Sequence, residues 1–158
     1  MRIPRIDQLL DDCENHLSST GSTGTEIEYL LTRSVLVLIC AQFEEKIRAT
    51  IREKCDTVDD ESLRTFLDSC VRAVFRSLKV DEMGSLLNRF GSNHKENFKE
   101  RISVNPQAVT LYNNLVTNRH QVAHADRLHM SLHEVKGFYE QGHIILDFFR
   151  EALLGGNA

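Results

Sequence analysis

Proline is scarce in this chain, with two in 158 residues. With so few helix breakers and apolar residues recurring mostly at helical spacing, the sequence predicts an all-α fold. Cysteines stand at positions 13, 40, 55 and 70, and none forms a CxxC pair or a finger-like spacing with histidine. Reduced thiols in a cytoplasmic protein are therefore expected, with Cys40, inside an apolar run, in the core. Positive charge is not in excess. A net charge of −4 and a pI near 6.0 exclude bulk electrostatic capture of nucleic acid, so a polyanion site must be a local pocket. The longest apolar run, SVLVLICAQF, is too short for a membrane span and leads straight into EEK. The N-terminal MRIPRIDQLLDD lacks the apolar segment of a secretory signal. No Gly-Lys-Ser/Thr follows SSTGSTGT, which reads as a flexible loop and not as a phosphate cradle. What remains is a composition of 41% apolar and 27% charged residues, that of one soluble globular domain over residues 1–158.

Helix signals divide this chain into a short N-terminal piece, residues 1–25, and a bundle core, residues 26–154. The first piece holds a helix over 5–17 and the loop 18–25. A long helix is expected from about Glu26 to Lys54, its first half apolar nearly all round and hence central and buried. DTVDDES offers caps for a helix over 60–78. Asp81 is expected to cap a short helix that stops in left-handed conformation at Gly91, and Ser92 to open another toward Ile102. Asn105 and Pro106 read as N-cap and first helical residue of a helix reaching about Ala125. Ser131 and Glu134 form a capping box for the last helix, whose Val135, Phe138, Gly142, Ile145, Phe149 and Leu153 share one side. The sum is a helical bundle of five to seven helices.

The helix after Pro106 ends in NRHQVAH, residues 118–124. With Arg119 set at zero on a helical wheel, Ala108, Leu111, Tyr112, Leu115, Val116 and Val122 fall between about −80° and +60°. An always-charged guanidinium thus lies in the middle of an apolar stripe. Left unpaired there, it would cost several kcal/mol. A carboxylate, carbonyls, a phosphate or water in a cleft must meet it. His120 and His124 fall side by side at the stripe's edge. On the long second helix, Glu44 borders the stripe of Cys40, Phe43, Ile47 and Ile51, while Glu45 points away. Glu44 is therefore expected to pair with or orient the polar residues of the motif. A structural arginine–carboxylate pair at a helix end remains the plainer alternative. A metal site is a third, since His120 and His124 stand at i, i+4, but no third ligand accompanies them. His129, His133 and His143 have no evident partner and are expected in solvent. The aromatic pairs Phe138–Tyr139 and Phe148–Phe149 read as core or dimer surface.

RHQVAH resembles the Arg-x4–6-His signature of HEPN domains, in the sub-form Arg-polar-x-hydrophobic-Ala-His. VLICAQFEEKI resembles the apolar, glutamate-bearing helix of the same superfamily. LLNRFG followed by a short charged helix is similar to the RiboL-PSP-HEPN and MAE-type subfamilies. The likeness covers about residues 26–154. The alanine after His124 replaces a glycine common in such domains.

This resemblance implies a metal-independent endoribonuclease without cofactors, working as a homodimer with two motifs facing each other. Arg119 and His124 take the catalytic positions, and His120 the variable polar position, which with Glu44 would bind or orient substrate. Transfer RNA or another cellular RNA is the implied substrate. A toxin with a cognate antitoxin or regulatory partner, or an antiphage effector, is the implied setting. A dimerisation or partner-binding module of the same fold, without catalysis, is the alternative. The residue types suit RNA cleavage. Histidine can move protons near neutral pH, and arginine can clamp a phosphate through two donors. RNA supplies its own 2′-hydroxyl nucleophile, so 2′,3′-cyclic phosphate products are expected. Arg119 and His124 lie about 140° apart on an ideal helix, which favours two copies combining their side chains in one cleft.

Overall fold

The computed structural model describes residues 2–74, 78–123 and 130–155. Among them the chain forms helices and no strand: α1 (Pro4–Thr20), α2 (Glu26–Cys55), α3 (Glu61–Val74), α4 (Val80–Asn88), α5 (Ser92–Ser103), α6 (Pro106–Ala123), α7 (Leu132–Gly142) and α8 (Ile144–Leu154). A single residue, His143, separates α7 from α8. The long last helix read from the sequence is present but pinched there, and counting it once gives seven. At the pinch, the Leu146 N–H bonds to the His143 carbonyl at 3.0 Å, the tighter i→i+3 pattern of a 3₁₀ turn.

One core joins every helix. α1 contributes Ile6, Leu10, Cys13 and Leu17, all buried. Its entry is pinned where the Ile3 N–H donates to the buried Tyr139 hydroxyl at 2.9 Å. α1 runs further than the sequence suggests, through Thr20, and stops at Gly21 in the left-handed conformation, φ 63°. The loop after it is tied by hydrogen bonds. Ser22 donates its N–H to the Leu17 carbonyl, and the Thr25 hydroxyl donates to the Ser22 carbonyl. Thr25 also accepts from the Ile27 N–H as N-cap of α2.

The middle of the chain shows small departures from the sequence reading. Asp60 caps α3 through the Leu63 N–H at 2.9 Å; the end of the expected helix, at 75–77, lies outside the described residues. Lys79, not Asp81, precedes α4, and the Glu82 carboxylate accepts its N–H at 2.7 Å. Starting two residues earlier lets the Val80 N–H reach the Asn113 side chain at 3.0 Å. Gly91 does not end α4 in left-handed form. Arg89 and Phe90 close that helix by i→i+3 bonds, which leaves Gly91 to start α5 at φ 145°, where a side chain would strike Asn93.

α2 is central but buried on one side only. Val35, Leu36, Ile39, Cys40, Phe43, Ile47 and Ile51 face the core, whereas Ile27, Leu30, Val37 and Leu38 remain 40–54% exposed. An apolar composition all round therefore overstated its burial. α7 closes over α6 at Gly142, where an added Cβ would lie 3.0 Å from the Tyr112 backbone nitrogen. The capping box is present: Ser131 accepts from the Glu134 N–H, and the Glu134 carboxylate accepts from the Ser131 N–H. Tyr139 and Phe149 are core residues, Phe149 edge-on to Phe98. His143 is not simply solvated: it is half-buried, with Nδ1 3.2 Å from the Tyr139 carbonyl. His133 is exposed, and His129 lies outside the described residues. All four cysteines are free, and Cys40 is buried. No helix among the described residues is long and apolar enough to cross a membrane.

Candidate functional site

α6 runs antiparallel across α2, and three contacts share one register. The Phe43 and Tyr112 rings stack at 5.5 Å and 5°. The Cys40 sulfur lies 3.8 Å from the Leu115 carbonyl. One turn and more further along, the Arg33 guanidinium donates to the Val122 carbonyl at 3.4 Å. The same register sets Arg119 level with Leu36. The apolar stripe of α6 is in place: Ala108, Tyr112, Leu115 and Val116 are buried, and Leu111 and Val122 half-buried. Arg119 itself is half-buried on this stripe.

Two opposite charges converge on one sulfur. Burial pushes the Cys40 thiol up to about 12; the Arg119 charge pulls against that shift and the Glu44 charge adds to it. Glu44 acts on Cys40 from one turn along the same helix, and Arg119 from α6. Burial likewise pushes the Tyr112 phenol up, with Cys40 and Glu44 contributing. Glu44 forms an ion pair with Arg48 at 3.6 Å. Among the described residues no carboxylate pairs with Arg119 and no carbonyl accepts from it. The plain structural arginine–carboxylate pair is therefore not what these residues form.

His120 is half-buried beside Arg119, and its Nε2 is enclosed with no hydrogen-bond partner among the described residues. Buried polar atoms are ordinarily satisfied; among the described residues the Nε atoms of Arg48 and Arg64 are enclosed in the same way. His124 lies outside the described residues. Among them, no cluster of metal-ligating side chains occurs. The cleft between α2 and α3, lined by Arg52, Arg64 and Asp68, contains no motif residue.

Two residues that frame this end of the bundle are absent from the sequence reading. Glu28 accepts from the Gly24 N–H at 2.7 Å and from the Leu132 N–H at 3.2 Å, joining the start of α2 to the start of α7. Arg33 reaches the last turn of α6 and stacks on Tyr29, 5.4 Å from the ring centre. A glutamate in a first turn signals capping of its own helix. The second bond, to a residue 104 positions away, has no local signature.

The RiboL-PSP-HEPN family model matches residues 2–154, including α1, which the resemblance read from the sequence left out. Searches of curated proteins and of solved structures found no match.

Proposed function

The chain belongs to the RiboL-PSP-HEPN family, and from that premise we propose that it is a metal-independent endoribonuclease acting at a site built from two copies of α6. The observation that carries this reading is the state of Arg119: half-buried, on the core stripe of its helix, with no carboxylate partner among the described residues. A cation so placed keeps its donors for an incoming anion, and a phosphodiester offers the matching pair of acceptors.

In this reading Arg119 clamps the scissile phosphate and stabilises the charge that builds on it in the transition state. His124 moves the proton between the 2′-hydroxyl and the leaving 5′-oxygen, with the second copy's histidine taking the complementary role. His120 donates to or accepts from the nucleotide, and Glu44 sets the electrostatics on the α2 side. The 2′-oxygen bonds to phosphorus as the 5′-oxygen bond breaks, leaving a 2′,3′-cyclic phosphate and a 5′-hydroxyl. Transfer RNA or another cellular RNA is the substrate, and a cognate antitoxin or regulatory partner is the natural restraint on such an activity inside a cell.

Incubating the purified protein with total RNA in EDTA tests the proposal. Wild type should cleave and leave cyclic phosphate ends. Arg119→Ala and His124→Ala should each lose about 100-fold or more in rate, with unchanged circular dichroism. Undiminished cleavage by either variant would remove that residue from the chemistry, and no cleavage by wild type would leave the non-catalytic module. The exposed apolar face of α2 is what favours that second reading, since a dimerisation or docking role needs such a surface.

A further inference from the structure

The last turns of α2 border an apolar cavity. α3 packs against α2, and no comparable packing joins α3 to α4 among the described residues. The space left between the three helices is a cavity of about 170 Å³. Its walls are Ile51 of α2, Leu67 and Val71 of α3, and Leu86 and Phe90 near the end of α4. Leu67 and Val71 stand one turn apart and so share a face of α3. Leu67, Leu86 and Phe90 are only half-buried, and part of each side chain faces this space. The cavity is far from the motif: Ile51 lies about 22 Å along α2 from the level of Arg119.

Water suits such a space poorly, because it needs two or more polar partners. A single ring suits it well, since an apolar cavity of about 150 Å³ holds benzene. Phe90 adds an aromatic surface for that ring to meet. Among the described residues that line the cavity, one carries a charge: Arg89, the C-cap of α4. It is exposed and forms no ion pair among the described residues. No carboxylate lines this cavity, whereas in the neighbouring cleft between α2 and α3 Asp56, Glu61 and Asp68 outnumber the arginines. An anion is therefore favoured in the first space and opposed in the second.

We propose that the cavity binds a small aromatic carboxylate, with one ring in the apolar space and the carboxylate against Arg89. A guanidinium matches a carboxylate with two parallel donors. A rigid ring fills the space at less cost in rotamer freedom than a flexible chain of equal volume. The site is independent of the nuclease reading, because no residue of NRHQVAH lines it.

Calorimetry of the full chain with phenylacetate tests this. One phenylacetate should bind per chain. Acetate, which lacks the ring, and phenylacetamide, which lacks the charge, should each bind about tenfold or more weakly. Arg89→Gln should weaken phenylacetate by about the same factor. Its melting curve without ligand should match wild type, because Arg89 is exposed. The phenylacetamide arm uses wild type and tests the charge without any substitution. Alkylation by iodoacetamide places the ligand. Cys70 lines the cavity and is half-buried, while the other three cysteines are buried. Cys70 should therefore react first, and saturating phenylacetate should slow it severalfold in wild type. No binding at millimolar phenylacetate overturns the proposal. So does equal binding of phenylacetamide, or a Cys70 rate that saturating phenylacetate leaves unchanged.

Discussion

The contact between α2 and α6 has two unlike ends. At one, Phe43 is stacked between Tyr112 and Tyr139, at 5.5 and 6.1 Å, and Gly142 lets α7 touch the Tyr112 backbone. The rings there are buried and meet face to face, with the Tyr139 hydroxyl bonded to the Ile3 backbone. At the other, the same two helices enclose Arg119 and His120, and the closure is made by polar links: Arg33 to the Val122 carbonyl, and Glu28 to the starts of the flanking segments. The first end holds the bundle together. The second leaves Arg119 without a carboxylate partner among the described residues, as the proposed site requires.

Mutation should separate the ends by size of effect. Phe43→Ala removes the middle ring of the stack, and unfolding in urea should show a loss of about 3–5 kcal/mol. The polar end should yield less. Glu28→Ala strands two backbone N–H groups near the surface, where water replaces part of each bond, so the same measurement should register about 1–2 kcal/mol. If Glu28→Ala cost as much as Phe43→Ala, the polar end would be structural after all, and the contrast drawn here would fail.

Much of this division is legible in the sequence, and the parts that are not share a cause. Asn105-Pro106 and the Ser131–Glu134 box are local devices, and their helices begin where those residues put them. The stripe on α6, with Arg119 at its centre, follows from periodicity alone. The RHQVAH motif carried the family resemblance that the match over residues 2–154 now establishes. What periodicity does not give is which side of an apolar helix meets the core. α2 reads as buried throughout, yet Ile27, Leu30, Val37 and Leu38 on its outer line stay 40–54% exposed. Periodicity marks such residues as apolar without saying whether a neighbouring helix reaches them. Long-range polar bonds are invisible for a similar reason. Glu28 to Leu132 and Asn113 to Val80 join residues whose local patterns do not refer to one another. The break at His143 lies beside Gly142, which meets the Tyr112 backbone of α6, a contact that the last helix's own pattern does not announce.

The smallest expected effect is a pH dependence at the polar end. Hydrogen bonds from the Ser131 backbone and side chain hold the Glu134 carboxyl below its usual range. A carboxylate depressed in the folded state stabilises that state above the unfolded pKa and loses the contribution as pH falls through the folded value. Glu134→Gln removes the charge while keeping an acceptor for the Ser131 N–H. Since Glu134 is exposed, solvent screens most of the gain, and the variant should be less stable than wild type by only about 0.5 kcal/mol at neutral pH. In acid, with the carboxyl protonated, the two proteins should unfold at the same urea concentration. The Phe43→Ala deficit should persist from neutral pH into acid, because burial pushes the Tyr112 and Tyr139 phenols up and both stay protonated there. A Glu134→Gln deficit that survived acidification would mean that the carboxylate charge is not what closes the start of α7, and that the polar end is held by shape in the same way as the aromatic one.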